Sequence, residues 1–143
     1  MNDTQVAEAV AKTMWHDDQC SQSLGMTLLS VKPGAAEMRM IVRGDMINGH
    51  GTCHGGIIFT FADSCFAFAC NSYNQRAVAM NCTIDFIAPA RLGDTLIAST
   101  REVSRAGRNG IYDIRVCLDS GAVVAEFRGK SRLISGVITE LPA

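Results

Sequence analysis

The chain has 143 residues, of which 48% are apolar and 19% charged, one domain's length and too apolar for a disordered polymer. Thirteen basic and fourteen acidic residues leave a formal charge of −1, which argues against a general nucleic-acid or polyanion binder. An anionic ligand would have to be held by a local patch.

The first residues lack the basic start and long apolar run of a secretory signal. Residues 4–22 are rich in helix formers, with Val6, Val10, Met14 and Trp15 near helical spacing, and predict one amphipathic helix. Residues 24–31 and 35–42 flank the turn Lys32-Pro33-Gly34; in the second run Ala36, Met38, Met40 and Val42 alternate with charged residues, as in a half-buried strand. Residues 44–56 are glycine-rich and broken. Residues 57–73 are apolar on every side and predict a helix buried all round. The apolar stretch 55–73 carries Asp63, so it is not expected to span a membrane. Four strands follow. In the first, Val78, Met80, Cys82, Ile84 and Phe86 are expected to face one way; the others fall at 95–103, 111–118 and 122–134, with hairpin turns at 104–110 and 119–121. Such strands need a cover for their apolar face, and the apolar helix is the obvious filler. The expected fold is α+β, residues 1–143 forming a single domain: a five- or six-stranded antiparallel sheet wrapped around one long helix, with an N-terminal helix.

Between Asp45 and Arg76 the only formally charged side chain is Asp63. A carboxylate in an apolar helix is costly unless paired, solvated or used, so it is either a structural pair or a functional group facing a pocket. Upstream, Asn48-Gly49-His50-Gly51-Thr52-Cys53-His54-Gly55-Gly56 runs into the helix N-terminus, where free N–H groups can hold a developing oxyanion. The same run also suits an ordinary glycine-rich loop. His50, Cys53 and His54 invite a metal, but no second ligand pair follows, and none is expected. A Cys53–His54 nucleophilic pair lacks an orienting third group. Six cysteines without a CxxC pair read as reduced thiols. Arg128 and Lys130 in the last strand, and Arg105 and Arg108 in a hairpin turn, could hold phosphates or be solvated surface.

These residues also carry a family likeness. The 48–56 run, Ala62-Asp63-Ser64-Cys65-Phe66-Ala67-Phe68-Ala69-Cys70-Asn71-Ser72, Cys82-Thr83-Ile84-Asp85-Phe86-Ile87, Gly93-Asp94-Thr95-Leu96 and Phe127-Arg128-Gly129-Lys130-Ser131 together resemble the PaaI-type acyl-CoA thioesterases of bacterial phenylacetate degradation, in the hotdog-fold superfamily. The resemblance implies a helix wrapped by an antiparallel sheet. It implies hydrolysis of aromatic acyl-CoA thioesters such as phenylacetyl-CoA and its hydroxylated relatives, without a cofactor. It also implies a homotetramer built from two dimers, with sites shared between chains; separately, the lack of a signal and the reduced thiols point to the cytoplasm, and the charge balance and Asp63 to no nucleic-acid or membrane partner. In that family Asp63 matches the essential carboxylate, Gly55 the N–H that polarises the thioester carbonyl, and Asn48 and His54 polar residues lining the site. Many relatives carry Glu where this chain has Asp63, which leaves base and nucleophile both open. Two other functions fit a hotdog: a dehydratase or hydratase using His54 and Asp63, and a non-catalytic acyl-CoA-binding module.

Overall fold

A computed structural model describes residues 1–142. Helix α1 (Asp3–Asp17) opens with a reciprocal cap: Gln5 N–H donates to Asn2 Oδ1 at 2.8 Å, and Asn2 N–H to Gln5 Oε1 at 2.9 Å. The single helix expected over 4–22 is in fact two. Asp18 leaves helical geometry and accepts the Ser21 N–H as the cap of α2 (Gln19–Ser23), since a short carboxylate serves better at a cap than within a helix.

The strands are β1 (Thr27–Lys32), β2 (Ala35–Ile41), β3 (Ala77–Phe86), β4 (Thr95–Ala106), β5 (Asn109–Leu118) and β6 (Val123–Leu133). They form one antiparallel sheet in the order β1-β2-β4-β5-β6-β3, curled around helix α3 (Gly55–Cys70). This is the hotdog arrangement. Period two in the sequence becomes burial: Ala36, Met38, Met40 and Val42 from β2 and its end, and Tyr112, Ile114 and Val116 from β5, all lie in the core. They meet Phe61, Phe66 and Phe68 of α3. Gly129 is the point of closest approach, where a Cβ would fall 2.7 Å from the Phe66 ring.

Two expectations change. β3 does not present one continuous face. Its pairing with β6 shifts between Ala79 and Asn81, with Met80 left over as a bulge. Paired residues share a face, so Val78, opposite Arg132, points outward, while Cys82, Ile84 and Phe86, opposite Gly129, Phe127 and Ala125, point inward. Nor is α3 buried all round. The sheet covers one side. The N-terminal helices cover another, through Trp15 against Phe68 and a 2.7 Å hydrogen bond between Ser21 and Ser64. Gly56, Thr60, Asp63 and Ala67, spaced four, three and four, form a stripe that stays partly open. β3 itself is an edge strand, with Met80 52% and Phe86 54% exposed.

Candidate active site

The glycine-rich loop is folded around one side chain. Asn48 Oδ1 accepts the His50 N–H at 3.0 Å, the Thr52 N–H at 3.1 Å and the Thr52 hydroxyl at 3.2 Å, and an Ile47–Cys53 bridge closes the loop. The Asn48 –NH2 donates to nothing among the described residues, so this end of the side chain remains available. His54 N–H donates to Met46 O at 2.7 Å, fixing the entry to α3.

His54 is the N-cap of α3. Its Nδ1 accepts the Gly56 N–H at 2.9 Å, which places the ring proton on Nε2 and makes the exposed edge a donor. Ile57 and Ile58 donate to His54 O at 2.9 and 3.2 Å. Of the first-turn donors, Gly55 N–H alone has no acceptor among the described residues. A free N–H at the positive end of a 16-residue helix is suited to a developing negative charge on oxygen.

Asp63 lies two turns further along. It makes no hydrogen bond or ion pair among the described residues, and burial raises its carboxyl above the usual aspartate range. Its charge adds to burial in raising the Cys82 thiol and, after burial, the Cys70 thiol, which reaches about 12. These thiols stay protonated beside it. Eight residues at a rise of about 1.5 Å separate Asp63 from Gly55 by roughly 12 Å along the axis. A carbonyl accepting from Gly55 N–H is therefore out of direct contact with the same chain's Asp63 carboxylate.

The remaining candidates are dispersed. Burial pushes Cys53 up to about 11, which removes it as a ready nucleophile. His50 is exposed, and no group of three His, Cys, Asp or Glu side chains is placed to hold a metal among the described residues. Arg128 and Lys130 point outward from β6, on the face of the sheet away from α3. Arg128 is forked onto Asp113 at 2.7 and 2.9 Å, and holds that carboxyl below its usual range. Arg105 stacks 3.5 Å from the Tyr73 ring centre and donates to Gln75, beyond the C-terminal end of α3, with Arg108 in the adjoining turn. Within a chain, then, Asn48, His54 and Gly55 come together, Asp63 stands apart on the open stripe, and the four cations lie elsewhere.

One residue at the site escaped sequence reading. The Phe86 ring lies against Gly55, three of its atoms 3.0, 3.2 and 3.5 Å from where a Cβ would be. Phe86 reads from the sequence as one more alternating apolar residue. Nothing local shows that the end of β3 passes over the start of α3.

Residues 50–125 match the family model described as "Thioesterase superfamily". The chain is 44% identical to the acyl-coenzyme A thioesterase PaaI of Escherichia coli K12 over 90% of its own length and 92% of that protein's. The solved structure of the E. coli PaaI protein from the phenylacetic acid degradation operon superposes with a TM-score of 0.93 at 41% identity, covering 95% of this chain and 99% of that one. A variant of the phenylacetic acid degradation protein PaaI from Thermus thermophilus superposes with a TM-score of 0.77 at 35% identity, over 80% of this chain and 97% of the other.

Proposed function

The chain belongs to the thioesterase superfamily, and we propose from its site that it hydrolyses aromatic acyl-CoA thioesters between two chains, each supplying half of the chemistry. It is an acyl-CoA thioesterase with a hotdog fold. The observation that carries the mechanism is the pairing of an unpartnered, partly desolvated Asp63 with an unspent Gly55 N–H about 12 Å away along the same helix. A partner docked along the β3 edge, where Val78, Met80, Phe86 and Ile87 are exposed, would bring one chain's Asp63 towards the other's Gly55. Two such dimers make the tetramer that the family resemblance implies.

In that arrangement the thioester carbonyl accepts from Gly55 N–H, which stabilises the tetrahedral oxyanion. Asp63 of the other chain takes a proton from water, or attacks the carbonyl carbon to form a mixed anhydride that water then opens. Thiolate is a good leaving group, so no strong acid is required. His54, with its proton on Nε2, is set to donate to the bound substrate, which favours hydrolysis over a hydratase that would use it as the base. The Asn48 –NH2 lines the same end. Of the four candidate cations, Arg108 and Lys130 are the two with no side-chain partner among the described residues, and they are the ones proposed to meet the CoA phosphates. No cofactor or metal is called for. The substrate pool and the six free thiols suit the cytoplasm, and among the described residues no helix is long and apolar enough to cross a membrane.

The test is thiol release across aryl and alkyl acyl-CoAs with purified protein. Aryl acyl-CoAs, phenylacetyl-CoA first, should release free CoA fastest. Binding without release would refute hydrolysis, and a faster alkyl series would refute the aromatic preference. Single turnover in heavy-oxygen water separates the two routes, since only the anhydride route carries label into Asp63.

A further inference from the structure

Gly55 opens α3, and a Cβ there would lie 3.0 Å from the Phe86 ring. Phe86 reaches it from the far end of β3, inward-facing because the Met80 bulge has reset the alternation. Adding the roughly 2.5 Å between a backbone nitrogen and its own Cβ to the closest ring contact puts the ring within about 5.5 Å of the Gly55 nitrogen. A carbonyl oxygen accepting that N–H lies about 2.9 Å from the nitrogen, which keeps it within about 8.4 Å of the ring, at the same end of α3. Phe86 is 54% exposed, and its ring edge approaches Gly55. An apolar wall beside a hydrogen-bond donor removes competing water and lowers the local dielectric, which makes the donor worth more to a developing oxyanion.

We propose that Phe86 is a positioning residue of the thioesterase reaction: its ring dries the Gly55 N–H and walls the thioester carbonyl on that side. The inference rests on the reading of Gly55 as the carbonyl donor. It also bears on why position 55 carries glycine: a methyl there would sit 3.0 Å from the ring and shift it by a few tenths of an ångström.

The test is a double-mutant cycle of Phe86→Ala and Gly55→Ala, read as kcat and KM on an aryl acyl-CoA, with sedimentation confirming wild-type assembly. Phe86→Ala should lower kcat by about tenfold or more while KM moves less, because the loss falls on the transition state. Phe86→Leu, which keeps an apolar wall, should recover most of it. Gly55→Ala retains its N–H and should lose activity by displacing the ring, so the double variant should be no worse than Phe86→Ala alone. Should Phe86→Ala dissociate the assembly, the same cycle is run with Phe86→Leu, and the same non-additivity is expected. Wild-type kcat in Phe86→Ala, or losses that simply multiply, would overturn the inference. A wild type that hydrolyses the thioester alongside an unaffected Phe86 variant would sink the Phe86 role alone. A wild type without turnover would sink the thioesterase reading.

Discussion

Ionising Asp63 is harder in the folded chain than in water, because burial raises its carboxyl above the ordinary aspartate value of 3.8. Below that value the folded and unfolded chains are both protonated at this position and nothing is lost. As pH rises from 3.8 through the raised value, the unfolded chain releases its proton first and folding stability falls. Asp63→Asn should therefore melt above wild type at neutral pH, and the difference should vanish in acid. The same variant should lose at least about a hundredfold in kcat, the low end for a general base. In wild type, kcat/KM should climb with pH through the raised value. Equal melting at neutral pH, or retained turnover, would remove the site reading of Asp63. The cations divide by what already holds them. Arg128 is spent on Asp113 and Arg105 on Tyr73. Replacing Lys130 or Arg108 with Ala should raise KM at constant kcat, and replacing Arg128 should do so less. The reverse order in steady-state kinetics would place the phosphates on β6 near Asp113. Asp63 was legible in the sequence because a lone charge in an apolar run has no local reason to exist. The Arg128–Asp113 fork was not, because only the β5–β6 register brings those residues together.

At the scale of elements, α3 fills the sheet and holds the residues proposed for the chemistry, and its first turn is capped by His54. Losing that cap should cost about 0.5–2 kcal/mol, the range for N-cap truncations. His54→Ala should therefore lower the melting temperature and kcat together. His54→Asn can still cap Gly56 N–H and should recover the melting temperature while kcat stays low, because the Nε2 donor is gone. Recovery of both would leave His54 as a cap alone. Element types were readable from period and composition: β2, β5 and α3 stand close to where the residue pattern places them. Their interruptions were less so. The break between α1 and α2 at Asp18 depends on a carboxylate choosing a cap, and the β3 bulge depends on pairing with β6. The bulge matters most, since without it Phe86 would face away from Gly55.

For the whole molecule, the proposed oxyanion donor and carboxylate stand roughly 12 Å apart along α3, beside an edge strand with exposed apolar residues, which is why a second chain is proposed to complete the site. The sequence held both residues, eight apart; their separation in space follows once both stand on one helix. The central claim is therefore that each active site is built from two chains, and subunit complementation tests it most directly. Asp63→Asn removes one half. Gly55→Pro removes the other by deleting the N–H at the first helical position, and its ring carbons press on Phe86 of the same chain as well, so that whole half-site is lost. Each variant alone should be inactive. When the two are unfolded, mixed in equal amounts and refolded together, half of the dimers should be hybrids with one intact site of two, so activity should return to about one-quarter of wild type. A mixture that stays inactive, with hybrids demonstrated by native mass spectrometry, would show that each site lies within one chain and would contradict the account.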